Sequence, residues 1–359
     1  MSKKVLHVLG RMDAGGVETW LVNLLKNTDR SLIKHDFLLL KSGTGFYDEE
    51  IIKNGGSLNY CTKNSNPLLF SLKLYKYLRQ SKPDIVHSHV YTFSGLVLLI
   101  AFLANVKVRV SHSHNDMLAK ESRSSFIKKN YLIIMKKLIS IFATAKIAVS
   151  KFAAHSLYGE KWNKKNVEIM PCTIDLTKFD KKYIDQKLRA ELGIPESALV
   201  LGHVGSFTEQ KNHNFLIDVF FDIHKRNSNA YLVLVGDGVL KAQIEEKVAA
   251  LGLSSKVLFL GLRKDVPILM MSVFNVFVFP SLWEGLGLVA VEAQSAGLLC
   301  IASKYVPKEA DVGSCIYLDL DKNIWVDNIL NYKNKDKNLE NERYSIEKSI
   351  DFLSKIYLQ

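Results

Sequence analysis

Short apolar runs alternate with helix-like segments along most of this chain, and that alternation constrains its fold more than any other feature. The strand-like runs lie at 5–9, 37–40, 85–87, 107–111 and 146–149, and then at 199–204, 230–235, 257–260 and 275–279. The helix-like segments lie at 17–26, 69–78 and 93–104, and then at 212–224, 240–250 and 288–295. Such alternation is typical of parallel sheets covered by helices on both faces. The sequence therefore predicts an α/β chain of two doubly wound, Rossmann-like domains.

The domain borders are predicted from the stretch 171–195, which is polar and lacks the periodicity of a strand. We expect an amino-terminal domain at 1–172, a linker at 173–196, a carboxy-terminal domain at 197–342, and a final helix at 343–359 that packs back on the first domain. The charged segment 333–343 is expected to form an exposed loop. Two such domains facing each other across a cleft would bring the carboxyl ends of both sheets to a ligand.

The positive charge of the chain is concentrated in its first half. Residues 1–179 hold 27 lysines and arginines against 13 acidic residues, whereas residues 180–359 hold 21 against 23. This asymmetry indicates an anionic partner, such as a membrane surface, a phosphorylated substrate or nucleic acid, although solubility alone can also explain it. We expect no nucleic acid partner, because the sequence has no recognisable module that binds one.

Cysteine usage and apolar runs predict a cytoplasmic location. The longest apolar run, at 95–106, is shorter than the roughly 20 residues that a transmembrane helix needs, so we expect a buried helix there. The four cysteines show no paired spacing, which argues against a disulfide framework or a zinc knuckle. We therefore expect a reducing environment.

The stretch 279–301 combines the residues most suggestive of a ligand site. A strand is followed by a loop with Gly285 and Gly287 and then by a helix that carries Glu292. Glu284 in the loop and Glu292, about two turns into the helix, are expected to point into the same cleft. Glycines at a helix amino end leave backbone N–H groups free for a phosphate. Carboxylates beside such a helix end suit a ligand with both hydroxyls and phosphate, such as a sugar nucleotide. An ordinary strand–turn–helix with one capping glutamate would have the same spacing.

Two other strand ends carry glycines. Gly15 and Gly16 immediately precede a helix, which suits either a phosphate or sugar approaching the backbone or an ordinary tight turn. Gly205 follows a second-half strand, and Lys211 begins the next helix. A lysine there can meet a diphosphate, although it can equally be a solvated residue. Because the helix dipole disfavours a cation at that end, we favour the functional interpretation.

Two H-S-H triplets, at 87–89 and 112–114, end first-half strands. Residues i and i+2 share one face of a strand, so each triplet presents two imidazoles together. A metal site is conceivable with Asp84 and Asp116 nearby, but hydrogen bonding to a polar ligand is equally natural, and we expect no metal. Asp319 and Asp321 form a D-x-D pattern that we interpret as a helix cap.

The segment 122–143 predicts a basic amphipathic helix. Lysines at 128, 129, 136 and 137 fall mostly opposite apolar residues that recur every three or four positions. Such a helix can lie on an anionic membrane, or it can pack on the sheet of its own domain. The sequence does not decide between these alternatives.

Together these motifs resemble the family 4 retaining glycosyltransferases of the GT-B fold, particularly enzymes of bacterial capsule and exopolysaccharide assembly. The most specific part is the E-x7-E stretch from Glu284 to Glu292 after F-P-S-L-W. In the family's order it is accompanied by D-A-G-G-V-E, P-D-I-V-H-S-H, S-H-S-H-N, M-P-C-T-I-D, V-G-S-F-T-E-Q-K-N, L-V-G-D-G and F-L-G-L-R-K-D-V-P. The ordered set runs through nearly the whole chain.

The resemblance implies roles for individual residues. Glu284, with His114 as active-site histidine, would act at the transferred sugar, and His112 is the alternative histidine because the triplet is doubled. Lys211 would hold the diphosphate, Glu292 the ribose, and Arg263 would lie near the base. The implied donor-binding residues are Gly16, Gly205, Lys211, Arg263, Gly285, Leu286, Gly287, Leu288, Val289 and Glu292. Candidates on the acceptor side are His87, His89, Tyr91, His112 and Asp116.

The chain departs from the family pattern at two positions. Ser206 stands where the family usually has an arginine that contacts the diphosphate, so Arg11 or Arg263 would have to substitute for it. Losing one charge-assisted contact weakens binding by roughly 1.5–3 kcal/mol. Cys172 and Thr173 stand where the family has Asn and Gly.

The resemblance implies a hexosyltransferase that needs no cofactor, with a nucleotide-sugar, expected to be a UDP-sugar, as substrate. The acceptor would be a lipid-linked saccharide, and the basic first half would lie peripherally on the anionic inner face of the plasma membrane. A sugar-nucleotide epimerase or hydrolase, and a non-catalytic sugar-nucleotide-binding subunit, are the alternatives.

Overall fold

The structure is a computed structural model that describes residues 2–62, 66–331 and 339–359. Its strands are β1 Lys3–Leu9, β2 Ile33–Leu39, β3 Ser57–Tyr60, β4 Ile85–Ser88, β5 Val108–Ser113, β6 Ala145–Ala148, β7 Val167–Ile169, β8 Leu199–Val204, β9 Ala230–Val235, β10 Val257–Phe259, β11 Val276–Phe279, β12 Leu299–Ser303 and β13 Cys315–Leu318.

The helices follow the strands in alternation. They are α1 Gly16–Asn27, α2 Asp48–Lys53, α3 Pro67–Ser81, α4 Ser94–Leu103, α5 Leu118–Ser122, α6 Phe126–Phe142, α7 Lys151–Tyr158, α8 Leu188–Glu191, α9 His213–Arg226, α10 Lys241–Ala250, α11 Val266–Ser272, α12 Leu288–Ser295, α13 Lys322–Leu330 and α14 Ile346–Tyr357. Single turns of 3-10 helix lie at Tyr91–Phe93, Trp162–Lys165, Leu176–Phe179, Lys181–Tyr183, Glu209–Lys211, Lys308–Ala310 and Asn341–Tyr344.

The chain forms two compact units, which we call unit 1 (1–173 and 346–359) and unit 2 (174–345). Across the described residues, unit 1 has one parallel sheet of seven strands in the order β3-β2-β1-β4-β5-β6-β7. The order reverses between β1 and β4, which is the switch point where ligands bind in such sheets. Apolar residues of β1, β2, β4, α3 and α4 form a core on this sheet.

Unit 2 repeats this arrangement with six parallel strands, within its described part, in the order β10-β9-β8-β11-β12-β13. Its switch point lies between β8 and β11. Helices α9, α10 and α13 cover one face, with Phe220, Trp325 and Leu234 among the buried residues. The predicted doubly wound architecture of two Rossmann-like domains is confirmed.

All strand-like and helix-like segments of the sequence form the predicted elements. Several short elements were not predicted. Among them are the strands β3 and β7 and the helices α2 and α7, which mix polar with apolar residues, and the helices α5, α8 and α11. The predicted loop 333–343 falls mostly on 332–338, which lie outside the described residues.

The segment expected as a linker is packed within unit 2 from Ile174 onward. Arg189 donates from one guanidinium nitrogen to the carbonyl of Val273 at 2.7 Å and to Oδ1 of Asn275 at 2.9 Å. These contacts could not be predicted from the polar composition of the segment, because one arginine makes them with residues more than 80 positions away.

The last helix, α14, belongs to unit 1 and packs against α1. Trp20 Nε1 donates to Ser349 Oγ at 3.1 Å, and Thr173 Oγ1 donates to the same oxygen at 2.8 Å. Trp20 and Tyr357 are fully buried. The end of the chain therefore completes the core of unit 1.

The apolar run 95–106 forms the helix α4, as predicted. Gly95 lets the backbone of α6 approach, since a Cβ at this position would lie 2.3 Å from the carbonyl oxygen of Met135. Among the described residues, no helix is both long enough and apolar enough to cross a bilayer.

Candidate functional site

The switch point of unit 2 joins two loops, one after β8 and one after β11. Leu282 N donates to the carbonyl of Gln210 at 2.8 Å, and Gln210 Nε2 donates to the carbonyl of Trp283 at 2.9 Å. Asn212 Nδ2 donates to the carbonyl of Pro280 at 3.3 Å. These bonds bring two segments about 70 residues apart into one site.

The site contains a buried ion pair between Lys211 and Glu284. Lys211 Nζ lies 2.6 Å from Glu284 Oε1, with the two side chains 15% and 8% exposed. The ammonium also lies 4.8 Å from the centre of the Phe279 ring. The two residues that the family resemblance assigned to the diphosphate and the sugar are therefore direct neighbours. Lys211 sits in a 3-10 turn just before α9, not in the α-helix itself.

Gly287 caps the amino end of α12 with a φ of +83°, a conformation that favours glycine. A Cβ there would lie 2.9 Å from the ring of Phe279. Leu288 and Val289 then begin the helix, where backbone N–H groups have no partner within the helix. Gly285 and Leu286 are buried in the preceding loop. This geometry can accept an anion as the spacing predicts.

Glu292 lies a little over one turn into α12, which begins at Leu288. The expectation of two turns was wrong, because the helix begins at Leu288 and Glu292 is only its fifth residue. Glu292 is only partly exposed, and burial raises the pKa of its carboxyl to about 7, with Lys178 opposing the shift. Hydrogen bonds donated by a ligand hydroxyl would stabilise the ionised form of this buried carboxyl.

Glycines connect the loops that follow β8, β9 and β10. A Cβ on Gly236 would lie 2.1 Å from the carbonyl oxygen of Gly205, and Gly236 N donates to the carbonyl of Gly261 at 2.8 Å. Arg263, two residues after Gly261, forms a double ion pair with Asp265. Its Nε donates to Oδ1 at 2.8 Å and its Nη2 donates to Oδ2 at 2.6 Å. The guanidinium can still contact a nearby ligand, but its Nε and Nη2 already donate to Asp265.

Arg11 and Arg263, the two candidates to replace the arginine that is missing at position 206, are both already paired with a carboxylate. Arg11 Nε lies 2.6 Å from Asp13 Oδ1, and Arg263 is paired as above. Sequence reasoning missed two buried imidazoles close by. His203 Nδ1 bonds the carbonyl of Val278 at 2.7 Å, and His213 stacks on Phe207 at 4.1 Å. Neither histidine lies in a sequence motif that would have indicated its burial near the site.

In unit 1, Gly15 and Gly16 begin α1 as predicted, and Gly15 has a close neighbour in Glu18. A Cβ on Gly15 would lie 2.3 Å from Glu18 Oε2. Burial raises the pKa of the Glu18 carboxyl to about 7. The carboxyl therefore lies over the glycine turn that the resemblance assigns to the donor.

The two H-S-H triplets meet at the carboxyl ends of β4 and β5. His112 and His114 share a face, as predicted, with ring centres 4.0 Å apart, and His87 and His89 do so at 4.2 Å. His112 is fully buried, whereas His114 is 8% exposed. His114 is therefore the more accessible of the two candidate histidines.

The triplets join a larger array that includes His7 and His35, which the sequence analysis did not single out. Hydrogen bonds run from His35 Nδ1 to His7 Nε2 at 2.8 Å, from His7 Nδ1 to His89 Nε2 at 3.1 Å, from His89 Nδ1 to His114 Nε2 at 2.8 Å, and from His114 Nδ1 to Cys172 Sγ at 3.5 Å. A second series connects the Tyr357 hydroxyl, His87 and His112. Single histidines in strands give no local signal of such an array.

Burial lowers the pKa of every imidazole in the array. The pKa falls to about 4 for His35 and about 3 for His114, and well below 6.5 for His7, His87, His89 and His112, where neighbouring histidines add to the effect. The array is therefore uncharged at neutral pH.

Uncharged imidazoles are also metal ligands. Within the described ranges, the trios His7/His87/His89 and His89/His112/His114 bring ring nitrogens within 4.8 Å of one another. The nitrogens that link His89 to His114 already share a proton, so a metal ion would have to displace it.

The remaining acceptor-side candidates have structural partners. The Tyr91 hydroxyl contacts Glu121 Oε1 and Ser156 Oγ, both at 2.8 Å. Asp116 Oδ1 accepts from Leu118 N at 3.0 Å at the start of α5. Asp321 of the D-x-D pattern caps α13 by accepting from Ile324 N, which confirms the interpretation as a cap.

The helix α6 buries only part of its apolar surface. Leu132, Met135 and Ile139 are buried, whereas Phe126 and Ile127 are 78% and 82% exposed. Ile133, Ile134 and Ile141 are more than half exposed as well. Packing therefore explains one stripe of the helix and leaves a second apolar stripe on the surface.

Three of the four lysines of α6 are exposed. They are Lys128, Lys129 and Lys137. Lys136 differs, because its ammonium lies 2.6 Å from Glu121 Oε2 and 2.7 Å from the carbonyl of Ser156. Lys136 is therefore held by partners within unit 1.

The chain is similar to known glycosyltransferases along most of its length. Residues 14–178 match the family described as Glycosyltransferase Family 4, and residues 184–312 match Glycosyl transferases group 1. The chain is 38% identical over 317 residues to the putative glycosyltransferase EpsF of Bacillus subtilis, covering 87% of this chain and 82% of EpsF. It is 26% identical over 368 residues to the capsular polysaccharide biosynthesis glycosyltransferase CapH of Staphylococcus aureus, covering 99% and 98%.

Two further comparisons concern a named enzyme and a solved structure. The chain is 32% identical over 245 residues to UDP-Gal:alpha-D-GlcNAc-diphosphoundecaprenol alpha-1,3-galactosyltransferase of Escherichia coli, covering 65% of this chain and 60% of that enzyme. HepE of Anabaena, solved in complex with UDP and glucose, matches with a TM-score of 0.79 at 20% identity, covering 98% of each chain. The likeness to HepE shows the fold.

Proposed function

The chain belongs to the family 4 glycosyltransferases of the GT-B fold, and we propose that it moves a hexose from a UDP-sugar to a lipid-linked saccharide in capsule or exopolysaccharide synthesis. The observation that carries this proposal is the Lys211–Glu284 pair beside the amino end of α12. HepE, solved in complex with UDP-glucose, supports this donor class, and the Escherichia coli enzyme, with its UDP-Gal donor and diphosphoundecaprenol acceptor, supports both the donor and the acceptor class.

The ion pair suggests how donor binding reorganises the site. A diphosphate carries more charge than a carboxylate, so it competes with Glu284 for the ammonium of Lys211. Once released, Glu284 accepts hydrogen bonds from the hydroxyls of the donor sugar. The N–H groups of Leu288 and Val289 support the diphosphate, and Glu292 accepts from the ribose hydroxyls.

We propose that transfer retains the configuration of the anomeric carbon and needs no metal ion. The bond from this carbon to the diphosphate oxygen breaks, the acceptor oxygen bonds to the same face, and the acceptor proton passes to the departing phosphate. Lys211 and the helix dipole of α12 stabilise the charge that develops on the leaving group. His114 acts beside the transferred sugar.

The proposed location is the cytoplasmic face of the plasma membrane, with α6 as the contact. A lipid-linked acceptor sits at an anionic surface, and α6 combines the exposed apolar stripe, with Phe126 and Ile127, with three exposed lysines. Apolar insertion and electrostatic attraction together bind a helix to such a surface.

The catalytic half of the proposal is tested by product analysis. The purified chain is incubated with radiolabelled UDP-sugars, with and without a synthetic polyprenyl-diphosphate saccharide, and the products are separated. Label in the lipid fraction only when acceptor is present supports transfer. Free sugar or an epimerised nucleotide without acceptor would instead support a hydrolase or an epimerase, and unchanged donor in every mixture would support a non-catalytic binding subunit.

The membrane half is tested by sedimentation with phosphatidylglycerol vesicles. Reversing Lys128, Lys129 and Lys137 to Glu is expected to lower vesicle binding at least about 100-fold, because each lysine contributes about 1 kcal/mol. Reversing the exposed lysines at 53, 161 and 164 changes the net charge equally and serves as the control. Equal losses in both triple variants would remove α6 from the proposal.

A further inference from the structure

The connection between β5 and α6 in unit 1, residues 115–125, has no buried residue. This segment contains α5 and begins directly after His114. In contrast, β5 ends in buried residues, and α6 buries Leu132 and Met135. Apolar packing therefore holds segment 115–125 only weakly, although it begins at the carboxyl edge of the sheet, where ligands bind in such folds.

Glu121 of α5 ties this segment to unit 1 with both of its carboxylate oxygens. Oε1 accepts from the Tyr91 hydroxyl at 2.8 Å, and Oε2 accepts from Lys136 Nζ at 2.6 Å. The side chains of Lys136 and Glu121 are 26% and 17% exposed, so salt screens this ion pair less than a fully exposed one. Tyr91 follows β4 and Lys136 lies in α6, so one carboxylate joins α5 to two other parts of unit 1.

The hydrogen bonds around Glu121 form a chain with one direction. Met117 N donates to Ser156 Oγ at 2.8 Å, and this oxygen lies 2.8 Å from the Tyr91 hydroxyl. Because a carboxylate only accepts hydrogen bonds, Tyr91 donates to Glu121, and Ser156 in turn donates to Tyr91. Lys136 Nζ also donates to the carbonyl of Ser156 at 2.7 Å. The carboxylate is thus the common end of a connected polar network, which makes the network rigid.

Tyr91 has a backbone conformation that is rare outside glycine. Its φ is +50°, and it lies three residues after the end of β4, the strand that borders the switch point of unit 1. Such conformations persist only where the surrounding structure fixes them, and they are concentrated at functional sites. The bonds from the Tyr91 hydroxyl to Glu121 and Ser156 provide that fixation.

We propose that Glu121 is a positioning residue for the acceptor side of the site. Held by Tyr91 and Lys136, it fixes segment 115–125 next to His114, and the fixed segment forms one wall of the place where the acceptor saccharide binds. Asn115 is exposed at the start of this wall, and its amide both donates and accepts, as binding to sugar hydroxyls requires. This inference rests on the proposed function for the identity of the acceptor.

The test compares Glu121→Gln, which keeps the shape of the side chain and removes its charge, with Glu50→Gln in the same unit. Glu50 of α2 pairs with Lys26 of α1, with side chains 22% and 31% exposed, so it is a similar ion pair that involves no residue of segment 115–125. Lys136→Met and Lys136→Arg form a second comparison, since arginine keeps donors for Glu121 and for the carbonyl of Ser156. Thermal unfolding first establishes that each variant is folded.

The first readout is hydrogen exchange of the amides of Met117, Glu121 and Ser124, which are hydrogen-bonded at or within the segment. We expect exchange to become roughly tenfold faster or more in Glu121→Gln and Lys136→Met, because a charge-assisted bond is lost. Exchange should stay near its original rate in Lys136→Arg and Glu50→Gln. Unchanged exchange in Glu121→Gln, or an equal increase in Glu50→Gln, would overturn the proposal.

The second readout is the Kd of a synthetic polyprenyl-diphosphate saccharide with a short, water-soluble chain, measured beside the Kd of UDP. We expect the saccharide to bind roughly three- to tenfold more weakly to Glu121→Gln, because a smaller fraction of the chain holds the segment in place. The Kd of UDP should not change, because unit 2 holds the proposed nucleotide site. An unchanged Kd of the saccharide, or an equal loss for both ligands, would contradict the positioning role.

The two readouts separate this inference from the proposed function. Saccharide binding without turnover in the unmodified chain would refute the proposed transfer, while the Kd values would still decide the role of Glu121. Absence of saccharide binding to the unmodified chain would refute the proposed acceptor class and, with it, the role of Glu121 on the acceptor side.

Discussion

Replacing Lys211 with methionine removes the ammonium and leaves the rest of the side chain in place. The carboxylate of Glu284, with its side chain only 8% exposed, then has no counter-charge at 2.6 Å. It cannot gain full hydration in exchange, because the loops after β8 and β11 enclose it. We therefore expect Lys211→Met to destabilise unit 2 even though methionine is apolar and of similar length.

The magnitude follows from the burial of the pair. Removing one partner of a buried ion pair costs about 3–5 kcal/mol, and the residual exposure of these side chains places this pair near 3 kcal/mol. For a unit of this size, 1 kcal/mol corresponds to about 2–4 °C in Tm. Lys211→Met should therefore lower the Tm of unit 2 by roughly 6–12 °C.

The assay is thermal unfolding of single and double variants. Lys211→Met combined with Glu284→Gln removes both charges and should recover most of the loss, since no unpaired carboxylate remains. Lys304→Met is the matched control in the same unit. Its partner Asp319 is 65% exposed, and such surface pairs contribute about 0–1 kcal/mol. Equal effects of Lys211→Met and Lys304→Met, or no recovery in the double variant, would refute the reasoning.

Three further predictions concern the same unit and its chemistry. Gly287→Ala should cost more stability than Gly297→Ala, because both positions have φ near +85° but only the former would bring a Cβ within 2.9 Å of the Phe279 ring; equal losses in urea unfolding would contradict this. Stability of unit 2 should fall by roughly 2 kcal/mol as the pH rises from 4.5 to about 7, because the folded chain keeps the proton of Glu292 that the unfolded chain releases. Glu292→Gln should flatten that part of the pH profile, and an unchanged slope would show that another group is responsible. Turnover of a UDP-sugar should persist in chelator, and loss that a divalent ion restores would contradict the metal-free mechanism.

The order of strands and helices could be predicted because apolar periodicity is a local property. Runs such as 199–204 and 230–235 are buried on both faces in the structure, and their continuous apolar character shows this directly. The common face of His112 and His114 followed from the period of a strand. Short edge strands such as β7 escaped prediction because three residues carry no pattern.

The candidate site could be predicted only where one motif contains it. Glu284 and Gly287 lie in a single stretch, but the pairing of Glu284 with Lys211 joins residues 73 positions apart. His7 and His35 are single histidines in β1 and β2, and only the sheet order brings them to His89. For α6, periodicity showed an apolar face and could not show that packing covers just one stripe of it.

The most direct test of donor binding at the Lys211–Glu284 site is thermal unfolding of the intact chain with UDP, GDP, ADP or no nucleotide, in chelator throughout. A ligand at a hundredfold its Kd adds about 2.7 kcal/mol to the free energy of unfolding. We expect UDP to raise the Tm of unit 2 by roughly 5–10 °C and Lys211→Met to abolish the rise. No rise with any of the three nucleotides, or an undiminished rise in Lys211→Met, would contradict the claim that this site binds the donor.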